Sequence, residues 1–480
     1  MSDTTISKPP AGWQPTMRPG KTFCATAAAA VADVFTGAMI AVGGFGGIQN
    51  RPHTVLTALD KLSVKDLTLV GNGFMHQPLA EKHMVRKLIA AFGGSSYRRA
   101  STHEDQIRSG EIEFEPSPQG IFTERLRAGA AGIAAFFSPV GVDTVIADGK
   151  ERRTVEGRDY ILETALRPDF GFVRAMKADE AGNLTGIGST LNFHPAVAAA
   201  SKITIAEVDE IVPLGSIDPE DVKIPGIFVD RVVLHDKSLD EEAGARERTL
   251  RARRNIEPDP NKVGLTQDLM AMKVARMLKP GQYVNLGMGI PTLVANYIED
   301  ESGVTMHAEN GFLGYGPQPD DDEYAWYYYN AQGQAVTKRP GASFFDSVLS
   351  FTMARGGHLD VVVLGGMQVS ATGDLANWWA PYMAAGGMGG AMDLCTDVPE
   401  LIALMEHVTR DGEMKILNEC SFPLTGKGCV TKIVTDLAVI DVTPEGLVLR
   451  EVAHGVSPDY VQQRTEPVLI VAPDCKEMEF

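Results

Sequence analysis

Short apolar runs punctuate the chain at residues 39–42, 67–70, 143–146, 203–206, 360–364 and 437–441. Several end close to a glycine, and helical stretches follow them. Consecutive apolar positions suit strands covered on both faces, so the pattern predicts an α/β fold with largely parallel, buried sheets. Residues 238–261, SLDEEAGARERTLRARRNIEPDPN, break the pattern. They are charge-dense, carry few large apolar side chains and end in Pro-Asp-Pro. An exposed helix with a turn and a linker between halves both fit. The expected organisation is a first domain over 1–237, a linker over 238–261 and a second domain over 262–480.

The two halves resemble each other. Met176-Lys-Ala-Asp-Glu-Ala-Gly182-Asn-Leu184 runs parallel to Met367-Gln-Val-Ser-Ala-Thr-Gly373-Asp-Leu375, with Met, Gly and Leu coinciding without a gap. Each half also opens on a strand, a glycine turn and a helix: Val42-Gly-Gly-Phe-Gly-Gly47 and Asn285-Leu-Gly-Met-Gly-Ile-Pro291. Two matched anchors in the same order point to duplication.

A chain of 480 residues with 44% hydrophobic and 22% charged residues is long enough for two large units and a substantial core. No apolar run reaches the length of a spanning helix. The net charge of -18 argues against broad contact with nucleic acid or anionic membrane, yet leaves room for a small anionic substrate held by a few local donors. The five cysteines lack CxxC spacing, so the expectation is a reduced compartment and no metal site. The first twenty residues read as a loose cytosolic terminus.

Absences narrow the chemistry further. GxSxG and HExxH do not occur. A P-loop reading of Thr425-Gly-Lys-Gly428 fails at both ends, because residue 421 is Ser and residue 428 is Gly. Neither glycine loop completes GxGxxG: Thr292 and Gln49 stand where the third glycine belongs. No cofactor is expected.

What remains is Met306-His-Ala-Glu309-Asn-Gly-Phe-Leu-Gly-Tyr-Gly316. Val304 and Met306 can close a strand, and Asn310-Gly311 favours a tight turn with positive φ. Glu309 would then stand at the carboxyl end of a strand, where open α/β sheets hold their ligands. A turn carboxylate that caps a helix or sits in water fits the same pattern.

Here the chain resembles the family I CoA-transferases. Asn285-Leu-Gly-Met-Gly-Ile-Pro-Thr-Leu-Val-Ala-Asn296, Glu309-Asn-Gly-Phe-Leu-Gly314, Gly373-Asp-Leu-Ala-Asn-Trp378 and Gly387-Met-Gly-Gly-Ala-Met-Asp-Leu394 are similar to signatures of the β subunit. Gly43-Gly-Phe-Gly46, Pro118-Gln-Gly120, Glu124-Arg-Leu-Arg-Ala-Gly129 and Asn192-Phe193 resemble the α subunit. The likeness implies fused α and β halves: two related open α/β domains in tandem, with the active site in the cleft between them.

The resemblance also implies a reaction. CoA would pass between a short acyl-CoA, such as succinyl-CoA, and a small carboxylic or 3-oxo acid, through a glutamyl-CoA thioester on Glu309. A glutamate in water titrates near pH 4.3, so this one is expected to be ionised at pH 7. By resemblance, Gly390 and Ala391 face the thioester, Gln119 offers an amide from the other half, and Gly43, Gly44, Phe45, Gly46, Asn285, Gly287, Gly289, Asn310, Gln368 and Lys338 line the path of substrate and CoA. The implied partners are an acyl-CoA and a small acid in a cytoplasmic homodimer, with neither nucleic acid nor membrane. Hydrolysis of the same intermediate, and a non-catalytic ligand-sensing module, are the rival readings.

Two departures from the family pattern stand out. The first glycine turn continues as Gly46-Gly-Ile-Gln-Asn-Arg-Pro52, which makes Arg51 a candidate partner for the acid or a solvated arginine. A lysine common after Asn-Ala-Gly in the family is missing from Asn330-Ala-Gln-Gly-Gln334, which leaves Lys338 or Arg339 for the CoA phosphates. The neighbouring run Tyr324-Ala-Trp-Tyr-Tyr-Tyr329 suits a core or interface role, or packing on adenine.

Overall fold

The computed structural model describes residues 19–46, 50–94, 100–239, 263–320 and 323–480. The expected linker lies outside the described residues except for Ser238 and Leu239, as does Gly47 of the first glycine turn.

The runs at 39–42, 67–70 and 203–206 join one sheet of the first half, with strand order Thr22–Phe23, Arg231–Leu234, Ile203–Val212, Phe170–Asp179, Met39–Val42, Leu67–Gly71, Val85–Ala90 and Glu113–Pro116. All these neighbours are parallel. The second half orders Lys338–Phe344, Phe312–Tyr315, Thr305–Ala308, Tyr283–Leu286, Val361–Leu364, Glu400–Leu404, Lys432–Val434, Ala438–Thr443, Gly446–Val452 and Leu469–Glu477. Its centre, from Thr305–Ala308 to Lys432–Val434, is parallel, and antiparallel pairs flank it. The unbroken apolar sequence Val361–Leu364 is buried at every position, as a strand covered on both faces must be.

The two sheets share one plan. Phe170–Asp179 lies between Ile203–Val212 and Met39–Val42, just as Val361–Leu364 lies between Glu400–Leu404 and Tyr283–Leu286. The matched sequence segments form matched hairpins. Leu184 pairs with Ala178 and Leu375 with Val369, and Gly182 and Gly373 turn with φ of 78° and 83°. The register therefore repeats together with the Met, Gly and Leu anchors.

One apolar run departs from expectation. Residues 143–146 form no strand; Val145–Ala147 is a single 3-10 turn. The Thr144 hydroxyl accepts the Ile146 N–H at 3.3 Å, Gly141 turns with φ 74°, and Val145 is 47% exposed. Local capping and a solvated valine remove both reasons for a buried strand.

The halves are joined through core and backbone. Phe122 and Phe193 of the first share one buried cluster with Phe312 and Phe351 of the second. Met388 donates its N–H to Ala91 O at 2.9 Å, and Gly93 donates to Gly386 O at 2.9 Å. Tyr329 donates its hydroxyl to Ser189 O and accepts from Asn50 Nδ2, each at 3.0 Å.

Candidate active site

Glu309 follows the strand Thr305–Ala308 and opens a tight turn into Phe312–Tyr315. Gly311 makes that turn possible, with φ of 100°. A Cβ there would lie 1.9 Å from Phe345 O, so only glycine fits. Asn310 secures the other side, donating Nδ2–H to Tyr329 O at 2.9 Å.

The carboxylate is 6% exposed, and its Oε2 has no hydrogen-bond partner. Burial raises its pKa from 4.5 to about 7. Its own backbone N–H and the Asn285 amide work against that rise, while the nearby Asp393 carboxylate adds to it. The expected full ionisation at pH 7 is therefore corrected: desolvation leaves the group about half ionised there. A buried, unpaired carboxylate oxygen is costly to the fold and rare without a functional reason.

Asp393 ties the site together. Fully buried in the helix Ala391–Leu394, it accepts the Gly120 N–H at 2.9 Å and faces the Arg355 guanidinium at 3.4 Å. Burial raises its pKa to about 6, and Arg355 opposes the rise. Gly120 belongs to the first turn of Gln119–Ala130, a helix whose Pro118 cap residue supplies no side-chain hydrogen bond. The second half supplies that cap instead, because Gln119 N–H also donates to Gly389 O at 2.9 Å. A positive helix end is thereby pinned beside the glycine loop.

The side chain of Gln119 donates Nε2–H to Asn72 Oδ1 at 2.7 Å, and a Cβ on Gly390 would stand 3.1 Å from its Oε1. Gln119 and Gly390 are therefore neighbours across the boundary between the halves. Gly390 N–H has no backbone acceptor among the described residues, whereas Ala391 N–H donates to Met388 O at 3.0 Å. Of the two expected backbone donors, only Gly390 has its N–H uncommitted to a backbone carbonyl.

The remaining expected residues divide. Gly43 is required by the fold, since a Cβ would meet His194 Nδ1 at 2.0 Å. Phe45 stacks on Phe193 at 4.9 Å within the core. Gly44 and Gly46 take positive φ, and Gly46 lies against the Tyr329 ring. Gly287 is buried beneath Leu364, while Gly289 is exposed with open space around it. Gln368 braces the loop that begins at Ser421, accepting the Ser421 and Phe422 N–H groups at 2.9 and 3.0 Å. Lys338 is exposed, its Nζ 5.3 Å over the Tyr328 ring. Arg339 is held by Asp300 at 2.9 Å and by the Ile298 carbonyl. Asn285 is fully buried against His307 rather than lining an open path.

Sequence reasoning gave no role to Asp393, Asn72 or His307. Asp393 lay inside a matched motif, Asn72 sits between two glycines after an apolar run, and His307 interrupts an apolar strand. Among the described residues, no cluster of His, Cys, Asp and Glu is arranged to hold a metal, and no helix is long and apolar enough to cross a membrane.

Comparisons with known proteins show the family and the fold. The sequence pattern of the Coenzyme A transferase family matches residues 24–235 and 268–464. Succinyl-CoA:3-ketoacid coenzyme A transferase 2, mitochondrial, of Homo sapiens is 37% identical over 474 residues, spanning 94% of this chain and 90% of that protein. One of the subunits of the 3-oxoadipate CoA-transferase of Pseudomonas putida is 48% identical over 210 residues, 43% of this chain and 97% of its own length. The crystal structure of the acyl-CoA transferase YdiF from E. coli O157:H7, in a thioester complex with CoA, superposes with a TM-score of 0.78 at 20% identity over 97% of both chains, which establishes the shared fold. The chain belongs to the Coenzyme A transferase family and is a CoA-transferase enzyme.

Proposed function

We propose that the protein transfers CoA from a short acyl-CoA, of which succinyl-CoA is the leading candidate, to a small carboxylic or 3-oxo acid, with Glu309 as nucleophile. The observation that carries this reading is the buried Glu309 carboxylate, with Oε2 unpaired and the Asp393 carboxylate near enough to raise its pKa. The relatives' names, succinyl-CoA:3-ketoacid and 3-oxoadipate CoA-transferase, support the substrate class.

The carboxylate attacks the thioester carbonyl, and the tetrahedral oxyanion collapses with loss of CoA thiolate. This leaves an acyl-glutamyl anhydride. The thiolate then attacks the glutamyl carbonyl, releasing the first acid as its carboxylate and forming glutamyl-CoA. An acceptor carboxylate runs the same steps backwards. Gly390 N–H and the Gln119 amide are the proposed oxyanion donors, each worth about 3–4 kcal/mol when preorganised. Positioning in the cleft adds up to roughly 7–11 kcal/mol. Entry of the acyl-CoA would also exclude water, so that the acceptor acid rather than water finishes the reaction.

Gly44, Gly46, Gly287 and Gly289 are proposed to let backbone approach the pantetheine arm, and Lys338 to meet its phosphates. CoA acts as a substrate and no further cofactor is invoked. We take the assembly to be a cytoplasmic homodimer with the domain boundary at 238–261; the human relative is named as mitochondrial.

The test is initial-rate kinetics on a panel pairing succinyl-CoA and acetyl-CoA with small acids. Parallel double-reciprocal lines are expected, with Glu309→Ala inactive. Intersecting lines would contradict a covalent intermediate, and steady release of free CoA without an acceptor would favour the hydrolase reading.

A further inference from the structure

The first half carries its own version of the Glu309 loop. Gly71-Asn72-Gly73-Phe74 aligns with Glu309-Asn310-Gly311-Phe312, so that Asn, Gly and Phe recur and Gly71 stands in place of the glutamate. The topology agrees. Leu67–Gly71 flanks Met39–Val42 as Thr305–Ala308 flanks Tyr283–Leu286, and each loop leaves the carboxyl end of its strand. A Cβ on Gly71 would stand 3.1 Å from Val42 O, a tight fit against the neighbouring strand. What the first loop keeps is the amide of Asn72, which faces Gln119.

The contacts around Asn72 close into a circuit. Its Oδ1 accepts the Gln119 Nε2–H at 2.7 Å, and its backbone carbonyl accepts the Phe92 N–H at 3.0 Å. Phe92 pairs in turn with Gly387 as an antiparallel bridge, and its ring fills the space that a Cβ on Gly387 or Gly389 would need. Gly389 O then accepts the Gln119 N–H at 2.9 Å. The circuit runs from Asn72 through Phe92 and the glycine loop to Gln119 and back, and it crosses the boundary between the halves twice. Gln119 is 2% exposed, and among the described residues its side chain makes no other hydrogen bond. The same circuit touches the strand that precedes Glu309. Ser350 Oγ donates to Ala308 O at 3.2 Å, and the next residue, Phe351, has its ring 2.8 and 3.0 Å from the Cβ positions of Gly120 and Gly390.

We propose that Asn72 is a positioning residue: its Oδ1 takes one Nε2 hydrogen of Gln119 and so aims the other at the thioester oxyanion. The inference rests on the proposed role of Gln119. A primary amide has two N–H donors and one carbonyl oxygen on opposite sides. With no acceptor at position 72, nothing in the circuit distinguishes the amide from its turned-over form, which presents Oε1 and repels the oxyanion. The two aligned loops then divide the work. Glu309 of the second half attacks, and Asn72 of the first half orients the donor that steadies the product of that attack.

The test is a double-mutant cycle with succinyl-CoA and the acceptor acid that the substrate panel selects. Wild type, Asn72→Ala, Gln119→Ala and the double variant are compared in kcat and kcat/KM. Losing an oxyanion donor should slow Gln119→Ala by about a hundredfold. Asn72→Ala should lower kcat and kcat/KM alike, by about tenfold or more, with KM unchanged. The double variant should be no slower than Gln119→Ala, because Asn72 acts only through that amide. A role in the fold alone would instead slow Gln119→Ala further by the same factor. That multiplicative result, or an unchanged kcat in Asn72→Ala beside a slow Gln119→Ala, or a loss confined to KM, would overturn the inference. If Asn72→Ala fails to fold, Asn72→Ser carries the same cycle, since its shorter hydroxyl does not reach Gln119 Nε2. Gln119→Ala at the wild-type kcat removes the oxyanion donor and this inference together, whereas a slow Gln119→Ala with multiplicative losses removes only the role of Asn72.

Discussion

In Glu309→Gln the carboxylate is exchanged for an amide of the same shape at a site 6% exposed. In the wild type, burial moves the pKa from 4.5 to about 7. At 1.36 kcal/mol per tenfold, holding this side chain ionised in the fold costs about 3 kcal/mol relative to the unfolded chain. The sign follows from the folded value lying above the unfolded one. Below pH 4.5 both states are protonated and the cost is absent; it grows between 4.5 and 7 and is complete above 7. The amide carries no such cost. Glu309→Gln should therefore be inactive yet more stable than wild type, by up to about 3 kcal/mol at pH 8 and by less than about 1 kcal/mol at pH 5. With an unfolding entropy of about 2.1 cal/mol/K per residue, Tm should rise by about 3 °C at pH 8 if all 480 residues unfold together, and by about 6 °C if only one half does. Scanning fluorimetry at one heating rate, at pH 8 and pH 5, makes the comparison. A gain of equal size at both pH values would implicate packing, and no gain at pH 8 would refute the buried-charge argument.

Three further outcomes follow from the geometry. The acid limb of kcat/KM should fall near pH 7, set by Glu309 with Asp393 coupled to it, because His194, His307 and His407 are all lowered by burial to about 3 or 4; a limb below pH 5 would contradict this. Gly120→Ala should lower kcat at least about tenfold although alanine is the better helix former by about 1 kcal/mol, since its Cβ would lie 2.2 Å from Asp393 Oδ1; an unchanged kcat would show that the Asp393 cap does not position Gln119. Tyr329→Phe strips Ser189 O and Asn50 Nδ2 of a buried partner and should cost about 1–3 kcal/mol, read as a lower Tm; an unchanged Tm would contradict its role in joining the halves.

Much of the framework was legible because it depends on local pattern. The run at 39–42 became the strand Met39–Val42, and the Met, Gly and Leu anchors became hairpins of identical register. Asn310-Gly311 made the turn that only glycine permits at position 311. What sequence could not supply came from residues distant in the chain. Residues 143–146 looked like a strand until Thr144 capped a 3-10 turn. Gln368 proved to brace residues 421 and 422, which nothing in its own neighbourhood announces. The pKa of Glu309 is set by burial and by Asp393, which also acts on Gly120, far away in sequence. Periodicity carries no information about such encounters.

The central claim is that CoA becomes covalently attached to Glu309. Incubating the protein with succinyl-CoA and no acceptor, reducing with borohydride and mapping the peptides tests it directly. The predicted result is a thioester reduced to the alcohol on the peptide that carries residue 309, and no such product in Glu309→Gln. Reduction at any other residue, or an unmodified Glu309 peptide from fully active protein, would contradict it.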